Sequence, residues 1–149
     1  MKIEIDQSGK IENTDRDTVI AFSNDISGNI MIKAKDKREI QKFFRRIGKS
    51  RVFIYKLFAI LIFLAIKKHI KKIDQIIIDI EYPGWEHLIK DYLLSGIKRV
   101  KPNFDAKNIS FKAIGKKSKA HLVAADVTHK KVKPDLEIKI KETLKYIIK

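Results

Sequence analysis

At 149 residues, the chain is long enough for one domain with a substantial hydrophobic core. It has no cysteine, which excludes disulfide bridges, thiolate metal sites and cysteine nucleophiles. Lysine and arginine number 33 against 18 aspartates and glutamates, a formal net charge of +15. This excess indicates a polyanionic partner, either nucleic acid or an acidic membrane surface. Nucleic acid is favoured over a heat-adapted composition, because glutamate does not rise together with lysine.

Three β-strands are predicted in the first third of the chain. Polar and apolar residues alternate over residues 2–6, as in a strand with one buried face, and two further β-rich runs cover residues 17–24 and 29–34. The first run ends at a turn signal, Ser8-Gly9. We expect these strands to form an antiparallel meander.

Two helices are predicted after the meander. Residues 36–47 place apolar side chains on one side and lysine and arginine on the other. The next helix, within residues 51–69, is apolar nearly all round, with Lys56 inside an otherwise apolar run. A membrane-spanning helix needs about 20 apolar residues, and this run is shorter, so we expect a buried helix and no membrane span. With no signal peptide at the N-terminus, the expected location is cytoplasmic.

The second half of the chain alternates strands and helices. Ile76-Ile77-Ile78 lacks polar alternation, which is typical of a strand buried on both faces. The predicted elements are a strand over 76–81, a helix over 85–97, a strand over 108–114, a helix over 119–129 and a C-terminal helix over about 134–149. The complete order, β-β-β-α-α-β-α-β-α-α, predicts a single α/β domain over residues 1–149, with a mixed sheet and helices on both faces.

Acidic residues occupy positions where the pattern favours apolar or small ones. Asp6 ends the first strand, Asp79 interrupts the isoleucine run with Glu81 following on the same face, and Asp126 ends an alanine-rich helix face. An acid at the end of a central strand is costly to desolvate unless a cation meets it, either a divalent metal ion or a lysine or arginine. Each acid also has a structural interpretation: Asp6 as a turn acceptor, Asp79 as the partner of a buried lysine, Asp126 and Glu81 as solvated surface acids.

The order of elements and these acidic positions resemble the ribonuclease H-like superfamily, which includes ribonucleases H, Holliday junction resolvases and transposases. The resemblance covers residues 1 to about 131 and implies a five-stranded mixed sheet in the order 3-2-1-4-5. Asp6, in the run D-Q-S-G, matches the acid of the first strand, Asp79 or Glu81 that of the fourth, and Asp126 that of the closing helix. The resemblance implies that these carboxylates hold Mg²⁺ or Mn²⁺ for phosphodiester cleavage.

One position departs from the family pattern. Ribonucleases H carry a glutamate on the first helix after the meander, whereas residues 50–66 contain no acid and Lys56 is nearest to that place. Glu81 is the candidate for the missing carboxylate, since resolvase-like members use an acid near the end of the fourth strand. Without it, the site would be depleted and would bind metal weakly or not at all.

Basic residues form clusters along the chain. Lys116, Lys117 and Lys119 precede or begin the helix of Asp126, and Arg45 and Arg46 lie on the first helix. They are candidate contacts for backbone phosphates, the alternative being a merely solvated face. The aromatic residues fall mostly at apolar helical positions, so no base-stacking platform is expected, and recognition of shape and backbone is favoured.

His121 shares the predicted helix of Asp126 but lies five positions earlier, so the two are expected on different sides of it. A partly buried structural histidine is the preferred interpretation, and proton transfer near the site is the alternative.

Three classes of function follow. The first is a metal-dependent nuclease-like protein acting on DNA or RNA, with Asp6, Asp79, Asp126 and Glu81 as metal-binding and catalytic residues. The second is a nucleic-acid-binding module of the same fold without catalysis, motivated by the missing helix acid. The third is a small interaction subunit whose basic surface meets an acidic protein or membrane.

Overall fold

The computed structural model describes residues 1–24, 26–114, 119–128 and 133–147, with positions 119 and 126 described by their backbone alone. Within these residues the chain forms six strands and five α-helices. They are β1 (Lys2–Ser8), β2 (Thr18–Asn24), β3 (Gly28–Ile32), α1 (Ala34–Arg46), α2 (Phe53–Ile66), β4 (Gln75–Asp79), α3 (Glu86–Val100), β5 (Ile109–Lys112), α4 (Lys119–Thr128), β6 (Leu136–Ile138) and α5 (Ile140–Ile147). Short 3-10 helices cover Ser50–Val52, Lys67–Lys72 and Ala106–Asn108.

The six strands form one mixed sheet in the order β5-β4-β1-β2-β3-β6. The pairs β1–β2 and β2–β3 are antiparallel, whereas β4 pairs in parallel with both β1 and β5, and β6 pairs in parallel with β3. The predicted α/β class with a mixed sheet is confirmed. The interior strands β1 and β4 run in one direction, with Ile5 opposite Ile78.

The hydrophobic cores on the two faces of the sheet differ in size. Apolar side chains of the strands, among them Ile5 and Ile78, pack with α1, α2, α3 and α5 into the large core. The opposite face holds a small core, in which Val19 and Ala21 of β2 meet Ala124 and Val127 of α4. Because the facing residues are small, α4 approaches β1 and β2 closely.

The apolar helix predicted within residues 51–69 is α2, and it is buried. Nine of its 14 residues are buried, from Phe53 to Ile66, because the sheet lies on one side and α3 on the other. Its low polarity is therefore the consequence of packing on several sides. None of the helices in the described ranges has both the length and the apolar character that a membrane crossing requires.

The prediction of five strands and of one C-terminal helix over 134–149 was wrong. Leu136–Ile138 is a sixth strand, which pairs with Ile30–Ile32 of β3, and the helix begins only at Ile140. The strand is fixed by its flanking residue Asp135, whose side chain accepts from the Asn29 amide at 3.0 Å and whose amide donates to Asn29 Oδ1 at 2.9 Å. The apolar spacing of these residues is compatible with a helix. They form a strand instead, because pairing with β3 satisfies the hydrogen-bonding groups on the edge of that strand.

The loop after β1 is held by a buried lysine. Lys37 of α1 is fully buried, and its ammonium donates to the carbonyl oxygens of Lys10 and Asn13 at 3.2 and 2.8 Å and to Thr18 Oγ1 at 3.0 Å. Burial lowers the pKa of Lys37 to about 8. Three oxygen acceptors compensate for the removal of the ammonium from water, and together they fix this loop to α1.

Gly9 begins that loop in a left-handed conformation, with φ at +77°. A Cβ at this position would overlap with the carbonyl oxygen of Asp17. Gly48, which follows α1, has a similar φ of +72° but open space around it. The two glycines therefore separate the cost of the backbone conformation from the cost of the steric overlap.

Gly9→Ala is expected to lower the free energy of unfolding clearly more than Gly48→Ala does. The left-handed conformation alone costs an alanine about 1 kcal/mol, and the overlap with a backbone atom adds at least about as much again. Urea denaturation of the two variants measures the difference. Equal losses of stability would contradict the tight turn after β1.

Candidate metal centre

The candidate site is built where β1 and β4 end side by side. Ile5 and Ile78 are paired across these strands and both belong to the large core. Side chains alternate along a strand, so Asp6 and Asp79, one position further on each, face the opposite side, towards α4. Glu81 follows two residues after Asp79. The parallel register is thus what brings the first two carboxylates together.

Carboxylate oxygens of Asp6, Asp79 and Glu81 all lie within 4.8 Å of one another. Asp6 is buried, and the other two are half-buried. Hard divalent cations prefer such oxygen ligands, and several carboxylates together offset their charge. These three residues can therefore hold a metal ion.

Hydrogen bonds from the surrounding backbone orient two of the carboxylates. Asp6 Oδ1 accepts from the amide of the next residue, Gln7, at 2.8 Å, and not from Ser8 or Gly9 as its interpretation as a turn residue required. Asp79 Oδ1 accepts from the amide of Ile114 at 2.7 Å. One oxygen of each aspartate is thus fixed by the sheet and its connections, which preorganises the group for a ligand.

No described lysine or arginine side chain forms an ion pair with the three carboxylates. The interpretation of Asp79 as the partner of a buried lysine therefore finds no support among the described side chains. Among the lysines with a described side chain, the buried one is Lys37, and its ammonium is bound by neutral oxygens of the loop after β1 and of Thr18.

Burial, with the nearby negative charges, raises the pKa of two of these acids. Burial is the main cause at Asp6, and the charge of Asp79 adds to it. Burial also raises the pKa of Glu81, to about 8, with contributions from hydrogen bonding to Asp79 and from the charges of Asp6 and Asp79. Like charges this close cannot all ionise without compensation, so at neutral pH Glu81 retains its proton in the absence of a cation.

His121 was not among the predicted site residues, yet it contacts the acidic cluster. Its Nδ1 lies 2.8 Å from Asp6 Oδ2, and its side chain is 36% exposed. α4 places it there, because Ala120 and Ala124 pack on the sheet and His121 follows at the rim of that contact. The spacing of residues within α4 predicts only which helix face His121 occupies. The contact of His121 with Asp6 on β1 could therefore not be predicted from the sequence.

Lys112 is a second residue that the sequence did not single out. It pairs with Asp79 in the parallel register of β4 and β5, and it is exposed. Paired residues on adjacent strands point to the same face, so Lys112 lies on the site's side of the sheet. The β4–β5 register, which is not visible in the sequence, was needed to find it.

The remaining predicted residues are only partly located. Asp126 lies on α4, on the same helix as His121, but its side chain is outside the described part of the structure. Lys116 and Lys117 lie outside the described residues, and Lys119 is described only as the first residue of α4. The last two, Arg45 and Arg46, are exposed in the final turn of α1.

Comparisons with models of protein families, with curated proteins and with solved structures find no match to this chain. Its function is therefore inferred from the chemistry of the site.

The raised pKa of Glu81 predicts a pH-dependent stability. Because its pKa in the native state, about 8, exceeds the ordinary value of 4.5, the native state binds more protons than the unfolded state between these values. Stability contributed by this group is therefore present at low pH and lost as the pH rises through that window. Without metal, the melting temperature of wild type should fall relative to that of Glu81→Gln as the pH rises from about 5 to about 8.

Thermal unfolding in chelator measures the difference in melting temperature between wild type and Glu81→Gln at each pH. Glu39→Gln, which removes an exposed carboxylate from α1, is the matched control. Added Mn²⁺ should stabilise wild type more at the upper end of this pH range than at the lower, since ligands must lose their protons. An offset between wild type and Glu81→Gln that does not change with pH would contradict the crowded cluster.

Proposed function

We propose that this chain is a metal-dependent nuclease-like protein of ribonuclease H-like fold, which acts on DNA or RNA phosphodiesters with Mg²⁺ or Mn²⁺. The convergence of Asp6, Asp79 and Glu81 at the ends of two adjacent parallel strands carries the proposal. The run β3-β2-β1-β4-β5 within the sheet supports it, because this is the strand order that the resemblance implies. β6 is an addition at the edge beyond β3.

The distribution of charge favours a phosphodiester substrate. The chain carries a net charge of +15, which attracts a polyanion, yet its carboxylates meet at one point on the sheet. Three carboxylates would repel a phosphate unless a cation lies between them and the substrate. An acidic cluster inside a basic molecule is therefore suited to a metal ion and an anionic substrate bound together.

The residues of the cluster have separate tasks. Asp6, Asp79 and Glu81 would hold the metal, with Glu81 releasing its proton as the cation binds. A bound divalent cation supplies a polarised phosphoryl oxygen and an activated water. His121, held at Nδ1 by Asp6, can take up or release a proton beside the site. Lys112, on the strand next to Asp79, can contact a phosphate oxygen.

Asp6→Asn tests the proposal directly. The variant should lose Mn²⁺-dependent cleavage of oligonucleotides by at least about 100-fold, because an amide neither carries the charge nor replaces the carboxylate as a ligand. Its affinity for the same oligonucleotides in chelator should be unchanged. Asp91→Asn, an exposed acid on α3, is the control and should cleave like wild type.

Asp79→Asn is tested in the same assay, so that the proposal can still be judged if Asp6→Asn fails to fold. The melting temperature of both variants shows whether they are folded. Cleavage by two folded variants at the wild-type rate would reject the assignment of these aspartates.

A catalytically inactive nucleic-acid-binding module is the second candidate. It is favoured by the lack of an acid on α2, where Lys56 lies nearest to the expected position. The Lys56 ammonium donates to the carbonyl oxygen of Ile147 at 3.2 Å and lies 5.2 Å from the centre of the Tyr92 ring, so it is engaged elsewhere. Wild type that binds structured DNA or RNA but hydrolyses neither with Mn²⁺ nor with Mg²⁺ would establish this candidate.

A further inference from the structure

An aromatic stack lies on the other side of the sheet from α4, a few residues along the chain from Glu81. The rings of Tyr55, on α2, and Trp85, just before α3, stack at a centroid distance of 4.2 Å and an interplanar angle of 12°. Tyr82 packs edge-on against Tyr55 at 5.8 Å. Although one ring face is covered by Tyr55, Trp85 remains 42% exposed. The exposed part of the indole is therefore available to a ligand that can stack on it.

Tyr82 connects this stack to the carboxylates. Its hydroxyl accepts from Gln7 Nε2 at 3.1 Å and from the amide of Ile11 at 3.2 Å. Gln7 directly follows Asp6, and Tyr82 directly follows Glu81. The stack and the acidic cluster therefore lie at the same edge of the sheet. Trp85 lies four positions after Glu81, so the Cα atoms of the two residues are at most about 14 Å apart, which is the length of a few nucleotides.

The backbone around Trp85 is well fixed. Before it, the Gly84 amide donates to the carboxylate of Glu86 at 2.9 Å. After it, the amide of Ile89 donates to the Trp85 carbonyl oxygen at 3.1 Å, which begins α3. With its backbone held on both sides and one ring face against Tyr55, the indole presents a preorganised surface. A ligand that stacks on it loses little free energy to ordering of the protein.

Three exposed apolar side chains are close to site residues in the sequence. Five large ones are found in the described ranges: Ile47, Ile80, Trp85, Leu122 and Leu136. Ile80 lies between Asp79 and Glu81, Leu122 follows His121, and Trp85 lies four residues after Glu81. Exposed apolar groups near charged site residues suit a ligand that presents both charge and flat apolar surface. A nucleotide has both.

We propose that Trp85, supported by Tyr55, stacks with an unpaired base of a single strand, one of whose phosphates reaches a metal ion held by the carboxylates. This inference rests on the proposed function and specifies its substrate class: nucleic acid with at least one base outside a duplex. Stacking on an aromatic ring is tolerant of sequence and adds to the electrostatic attraction of a basic chain. Bases inside a duplex do not present their faces, so a fully paired substrate gains nothing from Trp85.

The sequence does not make this stack visible, because its two members come from separate segments: Tyr55 from α2 and Trp85 from the residue just before α3. Tyr55 and Trp85 are 30 positions apart, and each fits an apolar helical pattern on its own. Only the packing of α2 against α3 places the rings face to face.

Trp85 is the single tryptophan of the chain, so intrinsic fluorescence reports on this residue alone. Wild type in chelator is titrated with a short oligothymidylate, with the same strand annealed to its complement, and with inorganic polyphosphate. Stacking predicts strong quenching by the single strand and little by the duplex or by polyphosphate. Equal quenching by polyphosphate, or a single strand that binds without quenching, would overturn the inference.

Affinity of labelled single strands gives the second measurement. Trp85→Ala should weaken binding about tenfold or more, whereas Trp85→Phe, which retains a ring, should remain within about threefold of wild type. Leu136→Ala, which removes an exposed apolar side chain on β6, is the control and should bind like wild type. Unchanged affinity of Trp85→Ala would reject the stacking role.

The outcomes separate the two proposals. Cleavage that depends on Asp6, combined with unchanged binding by Trp85→Ala, removes the stacking inference and leaves the nuclease proposal. Quenching and weakened binding without any metal-dependent cleavage support the stacking inference and remove the nuclease. A wild-type protein that binds no nucleic acid but captures an acidic protein through Trp85 overturns both.

Discussion

Mutual repulsion among three carboxylates is the constraint around which this molecule is organised. Asp6 is buried at the end of a central strand, and Asp79 and Glu81 are held beside it. Burial, together with the charges of the two aspartates, raises the pKa of Glu81 to about 8, so this position favours its protonated form until a cation binds. Of 33 lysines and arginines, none of those with a described side chain neutralises the cluster through an ion pair. Such unbalanced charge is typical of functional sites.

The sheet brings the carboxylates together, and the helices on its two faces place further side chains at the same end of the strands. Parallel pairing of β1 with β4 aligns two strand ends, and the small residues of α4 allow that helix to bring His121 to Asp6. From the opposite layer, α2 and the start of α3 bring the stacked Tyr55 and Trp85 to the same edge. In α/β proteins, ligands bind beyond the carboxyl ends of the strands. Here the acids and the imidazole of His121 meet beyond these strand ends.

Patterns within single segments were predictable from the sequence, and relations between segments were not. The uninterrupted isoleucine run identified β4 as a strand buried on both faces, but β4 ends at Asp79 and not at Glu81 as predicted, so Glu81 reaches the cluster from the segment after the strand. The contact of His121 with Asp6 joins residues 115 positions apart, and no local period encodes it. β6 was missed because three alternating residues are also compatible with the start of an amphipathic helix.

Crystals soaked in Mn²⁺ test the central claim most directly, through the anomalous signal of the metal. The account predicts a peak coordinated by oxygens of Asp6, Asp79 and Glu81, with the strands unmoved, since two of the carboxylates are already oriented by backbone amides. Manganese absent from this position at saturating concentration, with a lysine or arginine side chain paired to the carboxylates in its place, would contradict it.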